Sequence, residues 1–315
     1  MRLLLLGCTG LVGRELVPML QGAGHKLTVV SRRKRAIAGV DLIEADPALA
    51  ASWADGSSLR CALEQADGVV NLAGEPIAEQ RWTPAHLKTL FSSRIDTTQH
   101  LVAAIKSSPE PPQVLVNASA VGFYGTSSTA SFTEESPAGD DVLSDLCGQW
   151  EGAAGQVPDS TRLVITRIGI VLAADGGALG KMLPIFRTGF GGPIGSGQQW
   201  MSWIARTDLC RLITEALTDL SYAGTYNATA PTPVPMQEFC TQLGRVLNRP
   251  SLLPVPGPVL KLLLGDGAAV VLEGQQVLPQ RLLQQGFDYR AKSLDAALEQ
   301  VLRPAVAVAT SPGRH

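Results

Sequence analysis

The chain has 315 residues, with 26 Lys plus Arg against 28 Asp plus Glu and a formal net charge of −2. That length is enough to bury a large core in one or two domains, and so even a balance excludes the overall basic field of a nucleic-acid binder. Five scattered cysteines (Cys8, Cys61, Cys147, Cys210, Cys240) without a CxxC, and only four histidines, leave no legible metal site and read as thiols of a reducing compartment.

Leu3–Leu6 is short, apolar and unbroken, which suits a strand buried on both faces of a parallel sheet. It runs into GCTGLVG, where Gly7, Gly10 and Gly13 repeat at a spacing of three and an apolar helical pattern starts at Leu11. Gly7 allows a tight reversal, Gly10 a close backbone approach to a pyrophosphate, and Gly13 close packing of helix on strand. A pyrophosphate would sit at the helix N-terminus against free N–H groups, so Gly7, Thr9, Gly10, Leu11, Val12 and Gly13 are candidate cofactor contacts. A strand–helix turn without a ligand would carry the same glycines. A second strand, Lys26–Val30, ends in Ser31-Arg32-Arg33. Dinucleotide folds reach the adenosine ribose from this position. A basic site with no acid nearby favours a 2′-phosphate, gripped by Arg32 and Arg33 with a hydrogen bond from Ser31. The expected cofactor is therefore NADP(H) rather than NAD(H), the alternative being that Arg32–Arg35 is a solvated run of loop charge.

Val40–Ile43 reads as a third strand, Ser57–Gln65 as a helix and Gly68–Leu72 as a fourth strand ending in NLAG. Ligands of such sheets lie outside the C-terminal ends of the strands, which makes Leu72, Ala73, Gly74 and Glu75 further cofactor candidates. A long helical stretch, Pro84–Lys106, is stopped by Pro109-Glu-Pro-Pro. Gln113–Ala118 is a fifth strand, followed by a polar loop (Ser127–Asp141), a helix around Asp145–Ala154 and a sixth strand, Arg162–Ile168. This alternation predicts an α/β fold with a doubly wound parallel sheet.

Residues 1–172 are read as the dinucleotide-binding domain, joined again by about 200–230 through a helix (Arg206–Leu220) and a strand (Thr225–Ala228). The glycine-rich 173–199 and the proline-punctuated 231–303 are read as a smaller C-terminal substrate lobe, and 304–315 as a frayed tail. Val259–Leu272 is too short, and too broken by Lys261 and Gly-Asp-Gly, to span a bilayer. The chain enters its first strand at once, leaving no room for a targeting leader, so a cytoplasmic protein with no membrane span is expected.

GCTGLVG, NLAGEPI, RWT, SAVGFYG, LCGQWE, DGGALGKMLP, GGPIGSGQQWMSWI and LPQRLLQQGFDY together resemble the YfcH-like proteins. These are atypical extended short-chain dehydrogenase/reductases, also labelled epimerase-family or SulA-like cell-division-inhibitor proteins. The resemblance runs from Arg2 to about Leu302. It implies a Rossmann domain with NADP(H), a small C-terminal lobe and a small-molecule substrate not yet established; the link of plant relatives to chloroplast division leaves a regulatory role open.

The superfamily usually moves a proton with a Tyr-x-x-x-Lys pair, the ammonium lowering the phenol pKa. Four residues after Tyr124, Tyr222, Tyr226 and Tyr289 stand Ser128, Tyr226, Ala230 and Ser293, so the sequence contains no such pair. Registering the helix on Glu151 puts Leu143 and Cys147 in its place, and Ser119 sits one position from the usual hydroxyl. The catalytic candidates are Glu75, Tyr124 and Lys181. Glu75 follows strand four as an acid, a base or a ribose ligand; Tyr124 follows strand five; Lys181 is the only lysine between Lys106 and Lys261. Against these stand a turn cap for Glu75, a core aromatic for Tyr124 and a surface charge for Lys181. Arg81 and Arg167 are either anion ligands or ion-pair partners, and Trp82, Trp150, Trp200 and Trp203 either line a pocket or pack the core. Two functions follow: an NADP(H)-dependent oxidoreductase or nucleotide-sugar-epimerase-like enzyme with non-standard acid/base groups, or a non-catalytic NADP(H)-binding regulatory protein.

Overall fold

The computed structural model describes residues 1–34 and 36–302; Arg35 and the expected tail lie outside the described residues. In chain order the first half comprises β1 (Arg2–Leu6), α1 (Gly13–Gly22), β2 (Lys26–Ser31), β3 (Asp41–Glu44), α2 (Ser58–Glu64), β4 (Gly68–Asn71), α3 (Pro84–Ser92), α4 (Ile95–Lys106), β5 (Val114–Ala120), β6 (Ser131–Phe132) and α5 (Val142–Ala154). The second comprises β7 (Arg162–Ile168), β8 (Ile170–Leu172), α6 (Gly177–Arg187), β9 (Trp200–Met201), β10 (Trp203–Ala205), α7 (Arg206–Thr218), β11 (Gly224–Ala228), β12 (Val234–Pro235), α8 (Met236–Leu247), α9 (Gly257–Leu264), α10 (Ala269–Leu272), β13 (Gln276–Val277), α11 (Gln280–Gln284) and α12 (Leu294–Leu302). Seven strands form one parallel sheet in the order β11-β7-β5-β4-β1-β2-β3.

The alternation of side chains along a strand divides the core into two layers. Leu3 and Leu5 of β1 face α1 and α7 together with Val29, Val70 and Val116. Leu4 and Leu6 face the other way, with Val69, Leu101 and Leu115. All four leucines are at most 1% exposed, as expected of a strand covered on both sides. The strand order reverses between β1 and β4, and the crevice outside the C-terminal ends at that reversal is where such folds bind ligands. Beneath it, Asn71 Nδ2 donates to Asn117 Oδ1 (2.7 Å) and to Thr98 Oγ1 (3.0 Å), which also accepts from Trp150 Nε1 (2.9 Å). The buried polar groups at this end of the sheet are therefore satisfied by one another.

A separate apolar core gathers Leu179, Leu183, Trp203, Phe239, Leu243 and Leu298 from α6, β10, α8 and α12. Three two-stranded sheets lie outside the large one: β8 with β10, β9 with β12, and β13 with β6. They escape a pattern-based reading because each is only two or three residues long. The expected long helix 84–106 is two helices, α3 and α4, separated at Ser93-Arg94. The interruption lets both side chains serve the loop after β4: Ser93 Oγ accepts from Glu75 N–H (3.0 Å) and Arg94 Nη2 donates to the Glu75 carbonyl (2.9 Å). Among the described residues no helix is long and apolar enough to cross a membrane.

Candidate functional site

The turn after β1 has three glycines with three separate constraints. Gly7 has φ +73°, and a Cβ there would collide with the Leu72 carbonyl and the Ala73 amide. A Cβ on Gly13 would enter the backbone of Cys8. Gly10 differs: its Cβ would meet only the Gly7 carbonyl, at 3.6 Å, and would otherwise point into open space. Two glycines thus close the turn and the third keeps its outer face clear. α1 starts without a side-chain cap, and the Leu11, Val12 and Gly13 amides donate to no group among the described residues. Those N–H groups and the helix dipole make a seat for an anion. The donor set and the clear face fit a pyrophosphate.

The loop before α6 packs on this turn. A Cβ on Gly176 would stand 2.9 Å from Leu11 Cδ1, so Leu11 is wedged against the loop leading into α6. Arg206 donates to Glu15 (2.8 Å), Asp175 (2.6 Å) and the Leu11 carbonyl (3.3 Å), while Arg14 pairs with Asp175 at 2.9 Å. Burial works against ionisation of Asp175, but the hydrogen bonds from Arg14 and Arg206 outweigh it and hold its pKa below the usual carboxylate range.

At the end of β2, the Ser31 hydroxyl donates to the Arg33 carbonyl (2.7 Å) and accepts from the Arg33 amide (3.2 Å). Ser31 therefore shapes the loop that presents the two arginines. Arg32 pairs with Glu75 at 3.2 Å, and Arg33 has no carboxylate partner among the described residues. Ala73 N–H donates to Asn71 Oδ1 (3.2 Å), which turns the chain out of β4 over the sheet edge. A Cβ on Gly74 would lie 2.9 Å from the Arg94 guanidinium. Arg94 is 8% exposed, donates to the Leu90 and Glu75 carbonyls, and lies over the Trp150 ring at 5.3 Å. Burial lowers its pKa, since no carboxylate pairs with it among the described residues.

The three catalytic candidates have different surroundings. Glu75 is partly exposed beside the turn. Lys181, on α6, donates to the Ala78 carbonyl at 3.3 Å, in the same loop after β4. Tyr124 is 3% exposed; its hydroxyl donates to Asn227 Oδ1 (2.6 Å), accepts from Arg167 (2.9 Å), and its ring stacks on Phe132. Burial raises its pKa. Arg167 forms a two-pronged pair with Glu151 (2.8 Å on each arm), and Ser119 Oγ donates to the same carboxylate at 2.6 Å. Cys147 is buried, and desolvation pushes its thiol up to about 11. It carries no charge near neutral pH and cannot do what a lysine ammonium does there. Arg81 lines an open cavity of about 510 Å³ with Lys261, Asp266, Leu272 and Glu273, between the loop after β4 and helices α9–α10. Trp82 packs on Gly267, and Trp150 and Trp203 are core. Sequence reasoning did not single out Arg94, Asp175 or Arg206, and only SSRIDTTQHL and DGGALG hinted at the first two.

Fold and turn together define a Rossmann protein of the extended short-chain dehydrogenase/reductase type. Residues 3–228 match the NAD dependent epimerase/dehydratase family, and residues 255–301 match a domain of unknown function, DUF1731. The chain belongs to the NAD dependent epimerase/dehydratase family. It is 46% identical over 299 residues to the chloroplastic epimerase family protein SDR39U1 homolog of Arabidopsis thaliana, covering 94% of this chain and 85% of that one. The crystal structure of human epimerase family protein SDR39U1 (isoform 2) with NADPH superposes with a TM-score of 0.87 at 39% identity, covering 96% of this chain and 99% of that one. A nucleoside-diphosphate sugar epimerase from Corynebacterium glutamicum matches at a TM-score of 0.72 and 30% identity, over 96% of this chain and 58% of that one.

Proposed function

We propose that this chain binds NADP(H) and acts as an oxidoreductase or nucleotide-sugar-epimerase-like enzyme on a small molecule. The observation that carries the proposal is the clear face of Gly10 beside the free Leu11–Gly13 amides, next to a basic β2 end where Arg33 has no carboxylate partner among the described residues and the acid that the sequence did not place there, Glu75, meets Arg32 through an exposed pair. The amides would hold the pyrophosphate, Arg32 and Arg33 the 2′-phosphate, and Leu72–Gly74 would flank the cofactor. The human relative's NADPH supports the same choice. When bound, a nicotinamide supplies the hydride chemistry. The chain's task is then to orient the substrate and move one proton. Glu75 is the first candidate carrier and Lys181 the second, because Glu75 is partly exposed where the chain leaves β4 and Lys181 reaches the same loop at Ala78. Tyr124 is the third, since its hydroxyl must first give up Asn227 or Arg167. The substrate would lie between the loop after β4 and a C-terminal lobe (173–199 and 231–303), in a cytoplasmic YfcH-like protein whose cysteines are all free thiols.

NADPH oxidation against a panel of carbonyl compounds tests the enzymatic reading. Turnover that falls at least about tenfold in Glu75→Gln, with NADPH affinity kept within about tenfold, supports it. A second reading, a non-catalytic NADP(H)-binding regulator linked to cell or plastid division, is favoured by Leu143 and Cys147 standing where the proton-transfer pair belongs. Tight NADPH binding without turnover across the panel would select it.

A further inference from the structure

β2 and β4 flank β1 on its two sides, so their C-terminal ends stand about 10 Å apart with the phosphate turn between them. Arg32 leaves the first of these ends and Glu75 the second, and their side chains meet at 3.2 Å. The ion pair therefore crosses above the end of β1, over ground that an adenosine ribose has to cover to reach the end of β2. Its two halves are unequally fixed. Glu75 is held by its backbone at both ends, to Ser93 and Arg94, whereas the Arg32 side chain is 61% exposed and free to swing.

We propose that this pair is a latch that a 2′-phosphate opens, and that Glu75 sets cofactor preference by holding Arg32 until a dianion takes it. This rests on the NADP(H) reading given above. A phosphate monoester carries nearly two charges and three acceptor oxygens against the single charge of a carboxylate, so Arg32 exchanges partners favourably. A ribose 2′-hydroxyl offers no such exchange: a cofactor without the phosphate has to break the pair uncompensated or bind around it. Exchange also frees the Glu75 carboxylate, in the loop that Lys181 contacts at Ala78. The same event that recognises the 2′-phosphate thus releases a candidate proton carrier. An exposed pair of this kind is weak, which makes it suited to being opened.

Calorimetric titration of the whole chain with 2′,5′-ADP, 5′-ADP and NADPH tests the latch, because the first two probes carry no nicotinamide. Glu75→Gln is expected to tighten 2′,5′-ADP and NADPH by about three- to fivefold. In an Arg32→Ala background the same substitution is expected to change 2′,5′-ADP affinity by less than about 1.5-fold, since Glu75 acts through Arg32. Unchanged or weaker binding of 2′,5′-ADP to Glu75→Gln overturns the latch, as does an equal gain without Arg32. Weaker NADPH binding with 2′,5′-ADP unaffected would make Glu75 a ligand of the nicotinamide half and overturn it too. Should the unsubstituted chain bind neither 2′,5′-ADP nor NADPH, the cofactor reading falls and takes the latch with it. If both bind and Glu75→Gln tightens neither, the latch alone falls.

Discussion

Gly10 and Gly13 are three residues apart in one turn, yet substitution should harm them in different ways. A valine at Gly10 would extend into the clear space outside the turn, so the fold should keep its unfolding midpoint within a few degrees while NADPH affinity falls at least about tenfold. A valine at Gly13 has the Cys8 backbone in its path, and destabilisation well above about 2 kcal/mol is expected from thermal unfolding without any ligand. Equal loss of stability in both variants would mean that Gly10 is a packing glycine as well. Glu151 makes the converse case, a charge whose value is structural. Its carboxylate is 11% exposed and holds Arg167, 7% exposed, by both arms, so Glu151→Ala leaves a buried guanidinium uncompensated. Such losses cost about 3–5 kcal/mol, and urea unfolding should show a change of that order. A cost under about 1 kcal/mol would show that water reaches Arg167.

Elements here are placed as much by polar fastenings as by apolar patterns. Asp175 joins the loop before α6 to α1 and α7 through Arg14 and Arg206, and its pKa in the folded chain is below the unfolded value. The stability it contributes is fully present above the unfolded carboxylate pKa of about 3.9 and is lost as pH falls through the lower folded value. Unfolding followed from pH 6 down to pH 2 should show a steeper loss for the unsubstituted chain than for Asp175→Asn; parallel curves would dismiss the fastening. The break between α3 and α4 has the same character. Arg94 and Ser93 carry no helix-breaking signal, and only the need of the Glu75 loop for a donor and an acceptor explains why the helix stops there. Local pattern made the strands of the sheet readable, because burial on both faces writes itself as Leu3–Leu6, Val69–Val70 and Val114–Val116. It made Gly7, Gly10 and Gly13 readable because turn geometry admits few residues. Arg94, Asp175 and Arg206 were not readable in that way: their partners lie 19, 161 and 191 residues away in the chain, at distances that no local spacing records.

At the scale of the whole molecule, two apolar cores meet along β8 and β10, and the phosphate turn lies beside a polar fastening between the elements that carry them. One core lies along the sheet around Leu3, Val29 and Leu212, and the other lies around Leu183, Trp203 and Phe239. Leu11 pressed on Gly176, with Arg206 between Glu15 and Asp175, links them beside the seat proposed for the pyrophosphate. A ligand in that seat touches the join, so it should stabilise both cores together. Binding to the folded state alone adds about 2.7 kcal/mol at a ligand concentration a hundred times the Kd. Calorimetric melting with NADPH is therefore expected to move a single cooperative transition upward by several degrees. With Arg206→Ala and Asp175→Ala combined, the polar fastening is cut while the β8–β10 contact remains, and the expected scan broadens, with NADPH raising chiefly the part that contains the sheet. If the unsubstituted chain already melts in two steps, the C-terminal region is an independent unit and the fastening at Asp175 couples nothing.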